Sequence, residues 1–401
     1  MKRILNITVL MVIAILITMS VYSQTQDEII AEAVCGQRIA QYDVKLNSPF
    51  VKERRGESET VNPETGNVSY TLSLFNLNAR TFDETLSLTY NSASAKLKQE
   101  SYCNTGVALH NINENFTDKE IAKANFAVGW KFNIPFVESM YNTTFVHMPD
   151  GTVYLGDASS DTGLSGYMLK NVTFKKSDSG YLLNYLDGTV YKFDTDGFLT
   201  EKSDRNDNYV QYNWNKSLTP YVLEKITSCT GQSISFKYLD SAVEITLNGR
   251  KVTLGVEKQS DADKIPFLTY FIDAVNRKTS FEYSQKTIDY ALVLDSEKMD
   301  INYYPLTSII YNTGLKTIYK YDTAKKFSGN GYMSYLKLSE RYDISNLEMV
   351  NRQQYFYNGE PDGYPKYSSG YIPSDYKYSA VIINQDSKRE LISYNSVHDI
   401  S

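Results

Sequence analysis

Cysteine, histidine and tryptophan are scarce in this 401-residue chain, with three, three and two copies. The cysteines Cys35, Cys103 and Cys229 are too few and too scattered for a disulfide-built scaffold, although they leave room for one bridge. The histidines His110, His147 and His398 lie too far apart in sequence to suggest a metal site or a base paired with a nucleophile. No Gly-x-Ser-x-Gly elbow, phosphate-binding glycine loop or Cys-x-x-Cys pair occurs. Basic charge is also short. The net charge of −6 at pH 7 argues against nucleic acid and against anionic membrane surfaces as partners, because phosphate recognition needs a positive face. Long amphipathic helical patterns are nearly absent, and after the first few residues no run is apolar enough to span a membrane.

The exception at the start has a simple reading. Lys2 and Arg3 precede an apolar run from Leu5 to Ile17, and Val21-Tyr22-Ser23 offers small-residue chemistry before Gln24. The run is shorter than the roughly 20 residues of a spanning helix. Residues 1–23 are therefore expected to be a secretory signal peptide. Its removal takes two positive charges and leaves about −8 on about 378 residues in an extracytoplasmic compartment. Cys35 lies too far past the cleavage point to be a lipid-modified first residue. Residues 24–57 read as a leader in which Asp27–Ala33 could form a short helix.

What the chain has in quantity is tyrosine, 34 copies, with 17 phenylalanines. These residues favour pleated, half-buried surfaces, so the fold is expected to be mostly β. Residues 58–149 form an N-terminal β region. In it, Val68-x-Tyr70-x-Leu72-x-Leu74 and Leu86-x-Leu88-x-Tyr90 alternate as half-buried strands do, a dozen residues apart, which suggests antiparallel pairing. Residues 96–125 are polar and read as an insertion loop, with helical character over Thr117 to Ala124. Gly129-Trp130 suggests a close backbone approach beside a large buried ring.

From 150 to 360 the chain repeats itself. Asp150-Gly151-Thr152-Val153-Tyr154 returns as Asp187-Gly188-Thr189-Val190-Tyr191. A looser unit, strand then polar turn then a strand ending in two aromatics, recurs over Leu223–Tyr238, Leu268–Tyr283 and Leu306–Tyr321, with a longer-turned copy ending at Tyr355/Tyr357. The aromatics at i and i+2 share one face of their strand. A lone hairpin is marginal in water. Stacked hairpins bury one another and need capping at the ends of the array. The expected architecture is antiparallel hairpin repeats stacked into an extended or partly closed β-sheet shell, with the strands over 61–95 as an N-terminal β cap. Residues 361–401 form a Tyr/Pro/Gly-rich C-terminal segment. There Tyr364, Tyr367, Tyr371, Tyr376 and Tyr378 are the candidates for an exposed ligand-binding patch, since tyrosine rings stack on sugars and peptides.

Other candidate chemistry fares less well. Asp204-x-Asn206-x-Asn208 matches the first half of a calcium-binding loop, but Tyr209 and Asn215 stand where glycine and a bidentate glutamate belong. A turn is the better reading, with a weak Ca²⁺ site near Asp194 and Asp196 as the remaining possibility and no other cofactor implied. No pair among the 47 acidic residues stands out as a glycosidase dyad.

At this level of detail the chain resembles the YD-repeat proteins of the RHS family, large secreted or surface β-shells. VNPETGNVSYTLSLFNL resembles the leading strand of their N-terminal segment, with Gly66 in its Thr-Gly pair, and FAVGWKF resembles the element that carries Gly129 and Trp130. DGTVYKFDTDGFLTEKSDRNDNYVQYNW is similar to the family's DG…DR passage at Asp187, Gly188, Tyr191, Phe193, Gly197, Leu199, Asp204, Arg205, Asn208 and Tyr212. Asp207 departs from the glycine usual there. Most later copies lack the Tyr-Asp pair, Tyr321-Asp322 and Tyr342-Asp343 excepted. The self-cleavage motif and toxin-like tail of some members are absent. The resemblance implies a non-enzymatic scaffold or cell-surface interaction protein, with a carbohydrate or a protein as partner. The alternatives are a carbohydrate-binding surface protein using its tyrosines, and a cargo-less or truncated component of an RHS-type toxin system.

Overall fold

The structure is a computed structural model and describes residues 58–103, 106–111, 117–124, 126–140, 143–149, 151–259, 264–291, 298–328, 331–359 and 374–395. The expected signal peptide and leader lie outside the described residues, as do Tyr364, Tyr367 and Tyr371. The fold is mostly β and antiparallel throughout, in a four-stranded N-terminal sheet, a nineteen-stranded sheet and two small sheets.

The alternating segments form the N-terminal sheet. Val68–Asn78 pairs with Asp83–Asn91 in a register that sets Tyr70 opposite Tyr90 and Leu72 opposite Leu88. Glu59–Val61 flanks one side and Trp130–Phe132 the other. The residues expected as an insertion loop include a hairpin, Lys98–Cys103 with Gly106–Asn111, and the helix Asp118–Ala124. That helix starts on a capping residue three positions before a glutamate: the Thr117 backbone N–H and hydroxyl both donate to Glu120. Phe136–Met140, Thr143–His147 and Val153–Leu155 make a small sheet. The first DGTVY copy therefore belongs here. The nineteen-stranded sheet begins only at Val172 and runs on past residue 360 to Tyr394.

That large sheet is a meander with one branch. From Val172–Ser177 onward each strand pairs with the next, except that the hairpin Lys286–Ala291/Lys298–Tyr303 swings out. Lys278–Tyr283 then pairs directly with Leu306–Ile310, and the branch is tied back through Tyr290 and Ala291 to the long strand Gly331–Ser345.

One turn recurs along the meander. At Asp194–Phe198, Asp204–Asn208, Ser228–Gln232, Asp273–Arg277, Tyr311–Leu315 and Asn384–Lys388, the first N–H donates to the fifth carbonyl and the fourth N–H to the first carbonyl. This is the three-residue hairpin loop whose last residue must take a positive φ. Gly197, Asp207, Gly231, Asn276, Gly314 and Ser387 occupy that place, with φ between 60° and 84°. Asp207 thus fills a glycine position in the same conformation a glycine would adopt.

Two further devices repeat. A β-bulge follows each of Leu199, Leu223, Leu268, Leu306 and Leu338, where the next residue is skipped in the pairing with the preceding strand. In four of the five the skipped residue is Thr or Ser. Its hydroxyl donates across the gap: Thr200 to Lys192 O, Thr269 to Gly255 O, Thr307 to Glu282 O and Ser339 to Lys320 O. The carbonyl of the leucine itself is then closed by an aromatic from the far end of the same hairpin. Trp214 Nε1 donates to Leu199 O (2.9 Å), Tyr238 to Leu223 O (2.9 Å), Tyr283 to Leu268 O (2.8 Å) and Tyr321 to Leu306 O (3.1 Å), each fifteen residues on. Tyr357 closes Leu338 O at 2.7 Å across a longer turn. The recurrent aromatic doublet now has a division of labour. Its first ring (Tyr212, Phe236, Phe281, Tyr319, Tyr355) is buried in the core, and its second carries the clamp.

The N-terminal sheet caps the meander across its face. Phe132 meets Phe236 with ring centres 5.9 Å apart, and Phe281 meets Trp130 at 5.1 Å and Tyr70 at 6.1 Å. Trp130 Nε1 donates to the Tyr283 hydroxyl (2.8 Å), Leu306 N–H to the Tyr90 hydroxyl (2.8 Å) and Leu338 N–H to Gly66 O (2.9 Å). Strands lie about 4.8 Å apart, so the dozen or so steps from Leu199–Ser203 to Tyr378–Asn384 would span on the order of 55 Å if flat. The longest N-terminal strand has 11 residues and is on the order of 35 Å long. The meander touches this small sheet along nearly all of its length, so it must curl around it. One contiguous hydrophobic core joins the two.

Candidate functional site: a polar cleft beside the first strand

Where the outer edge of Glu59–Val61 faces the inner surface of Glu348–Asn358, Tyr378–Asn384 and Arg389–Tyr394, a cleft of about 870 Å³ opens. Its floor is an ion network. Both oxygens of Glu59 accept from Arg341 (Nε and Nη2, 3.0 Å each), and Arg341 Nη1 lies 2.8 Å from Asp343. Asp343 also accepts from the Thr317 hydroxyl and the Asn351 amide. All three charged residues are more than nine-tenths buried. Burial works against the Arg341 charge, but Glu59 first and then Asp343 more than offset it and raise the guanidinium further above its ordinary range.

The walls are amides, a guanidinium and aliphatic carbon. Gln353 donates to Asn384 (3.1 Å), Gln385 accepts from the Arg352 backbone N–H, and the Arg352 side chain pairs with Glu340. Val61, Pro63, Ile382 and Ile392 supply apolar surface. Two carboxylates beside the cleft are held below their ordinary range. Burial would raise Glu340, but Lys320 and Arg352 bring it below its usual value, and a hydrogen bond from Lys388 does the same for Asp386. Groups tuned this way accept hydrogen bonds and do not deliver protons at neutral pH. The arrangement suits recognition of a polar ligand.

Of the tyrosines expected on an exposed patch, the two described ones are inside. Tyr376 and Tyr378 are only 7% and 3% exposed. Tyr376 stacks on Tyr378 (6.1 Å), and Tyr378 on Tyr394 (5.0 Å). The Tyr378 hydroxyl donates to Glu64 at 2.6 Å. Burial, then the Glu64 charge, raises its pKa. The expectation of exposure is corrected at these two positions, because Tyr378 opens a strand of the large sheet and its ring is needed to fill the last hairpin.

The residues that carry the family resemblance serve partly within the large sheet and partly at its contacts with the N-terminal and small sheets. Asp187 caps its turn by accepting from Thr189 N–H. Gly188 lies so close to Arg205 that an added Cβ would sit 2.5 Å from the arginine Cβ. Tyr191 and Phe193 are core residues. Gly197 accepts from Val137 N–H, and a Cβ there would strike Val137 O. Asp204 accepts from the Thr81 hydroxyl and from Asn208, which hold its carboxyl well below the usual range. Tyr212 donates to Glu84 at 2.7 Å, and Lys202 pairs with the same carboxylate at 2.6 Å. Gly129 packs on the Tyr90 ring beside the fully buried Trp130. Asp194 and Asp196 are bridged by Lys216, and no group of three metal-ligating side chains occurs among the described residues. Cys229 is a free thiol; the Cys35 and Cys103 side chains lie outside the described residues. His147 stacks on Phe136 at 3.8 Å beside Glu138.

Sequence reasoning missed the floor of the cleft. Glu59 and Arg341 are 282 residues apart, and neither sits in a recognisable pattern. Arg341-x-Asp343 on one strand face was the available hint.

No protein-family model matches the chain, and no curated protein matches it. Among solved structures it is similar to a chain of one described as "Crystal Structure of TcdB2-TccC3", at 12% identity and a TM-score of 0.26. The match covers 78% of this chain and 18% of that one, so this chain spans under a fifth of its neighbour's length, in a superposition too loose to speak for function. Among the described residues no helix is long and apolar enough to cross a membrane.

Proposed function

We propose that the protein is an extracytoplasmic β-repeat scaffold of the RHS/YD kind that works by binding. Its polar cleft would take a hydroxyl-rich ligand such as a cell-surface glycan. The observation that carries the scaffold reading is the recurring leucine–aromatic clamp. Five times along the meander a side chain with catalytic or binding potential is spent on closing its own hairpin. The amides Asn351, Gln353, Asn384 and Gln385 with Arg352 support the glycan reading, since planar donor–acceptor groups match sugar hydroxyls. The test applies the chain from Gln24 onward to a glycan array and, in parallel, to panels of glycoside and peptide substrates. Retention of a glycan that falls at least tenfold with Gln385→Leu, with no turnover, is the expected result. Turnover abolished by replacing one carboxylate would overturn the non-enzymatic reading. A blank array would remove the glycan.

A further inference from the structure

A second cavity, of about 460 Å³, lies away from the polar cleft, between the helix Asp118–Ala124 and the strands Tyr209–Asn215, Val222–Ser228, Ser233–Tyr238 and Arg250–Glu257. Its character is the opposite of the cleft's. Phe126, Phe132, Trp214, Tyr221 and Tyr238 contribute rings. The polar tips of Trp214 and Tyr238 are already committed to the Leu199 and Leu223 carbonyls, which leaves their carbon surface for the cavity. Leu218 and Leu239 stand at its border with 46% and 44% of their surface exposed.

The charged groups of the lining are Asp240, Lys258 and Lys264. Lys264 lies 4.0 Å from Asp118 on the helix. Lys258 is exposed and has no acidic partner among the described residues. Among the described residues the lining thus offers an apolar chamber with the unpaired Lys258 ammonium at its border. A volume in this range, walled by aromatic and aliphatic carbon with few polar groups, is typical of small-molecule sites.

We propose that this cavity binds an amphipathic monoanion, such as a fatty acid or an aryl carboxylate or sulfonate, with its apolar body among Phe126, Phe132, Trp214 and Tyr221 and its head on Lys258. Asp240 disfavours a second negative charge on the ligand. The assignment is independent of what the polar cleft takes.

The test uses two probes of the same shape on the full chain, 1-anilinonaphthalene-8-sulfonate and the uncharged N-phenyl-1-naphthylamine, by calorimetry and fluorescence. Trp214 lines the site and the other tryptophan, Trp130, is fully buried, so quenching of indole emission reports occupancy. One sulfonate per chain is expected, displaced by dodecanoate. Lys258→Glu should weaken the sulfonate at least tenfold and leave the neutral probe within twofold, while Leu218→Asp should weaken both. Both substitutions sit on exposed positions and spare the core. Absence of saturable one-to-one binding, insensitivity of the sulfonate to Lys258→Glu, or equal loss for both probes would overturn the proposal.

Discussion

The N-terminal sheet and the meander are built from the same pleated ribbon, yet they are held by different kinds of contact. In the meander the anchors are local and recur: the same turn, the same bulge after leucine, the same aromatic hydrogen bond fifteen residues on. In the N-terminal sheet each anchor occurs once and reaches far: Glu59 to Arg341, Glu64 to Tyr378, Glu84 to Tyr212, Tyr90 to Leu306. The first kind gives each hairpin its own geometry. The second decides where along the ribbon the N-terminal sheet docks. The contrast separates what makes a hairpin from what makes a shell.

The sharpest way to break it is to remove a long-range anchor. Arg341→Leu leaves Glu59 and Asp343 buried without their cation, and should lower the unfolding free energy by about 3–5 kcal/mol in urea titration. Adding Glu59→Gln should return part of the loss, and a double-mutant cycle measures how much. A loss below about 1 kcal/mol would mean the seam is not what holds the sheets together.

The clamps allow a finer comparison. Tyr283 serves both kinds of contact, donating to Leu268 O and accepting from Trp130. Tyr238 donates to Leu223 O within its own hairpin. Tyr283→Phe should therefore cost about 1–3 kcal/mol and Tyr238→Phe about 0.5–1.5 kcal/mol. Equal losses would erase the distinction between local and seam contacts.

A titration separates the two further. Lys123 ties the helix to the small sheet through Val137 O and to the meander through Asp196 O, and burial lowers its pKa to about 8. An unfolded lysine titrates near 10.4. Between these values the unfolded chain binds more protons, so stability should rise with pH from about 8 toward 10, by on the order of 1 kcal/mol. Lys123→Met should flatten that rise. Above pH 10 the sign reverses. Burial holds Tyr212, Tyr283, Tyr319 and Tyr321 well above their ordinary pKa, so the stability they contribute is complete below about 10 and is lost as pH climbs through their folded values. Tyrosine absorbance at 295 nm followed alongside circular dichroism would show ionisation and unfolding together.

The smallest effect tests the repeated turn alone. Asp207→Gly places glycine at a φ of 60°, where an L-residue is strained and a glycine is not. The variant should gain up to about 1 kcal/mol. A loss would mean that the Asp207 side chain does something the structure does not show.

The local half of this comparison could be read from sequence, and the long-range half could not. The copies Leu223–Tyr238, Leu268–Tyr283 and Leu306–Tyr321 begin and end on the two residues that the clamp joins. The letters did not reveal the clamp's chemistry, because its acceptor is a backbone carbonyl that every residue has. The stretch Leu199–Trp214 is a further copy, hidden because tryptophan replaces tyrosine as donor. The Leu-Thr pairs were visible and went unread, since a bulge appears only in the pairing. The helical character over Thr117 to Ala124 was legible, and the Thr117–Glu120 pair that caps it went unread. The floor of the cleft had no local sign, because a charge buried by a partner 282 residues away looks in sequence like any surface charge. Tyr376 and Tyr378 were misjudged because Gly, Pro and Ser neighbours suggest an exposed loop, whereas stacking with Tyr394 decides their place.

The hairpin Ala242–Leu247/Arg250–Glu257 carries none of the register shifts that follow each leucine, neither with the strand before it nor within itself. Bulges bend the strand that bears them and add twist. The clamped units are therefore the links that steer the ribbon round its axis, and this pair is a straight spacer between two of them. Splicing such spacers in or out would change the length of ribbon that wraps the N-terminal sheet while leaving every joint intact, so girth and local strength can be adjusted separately.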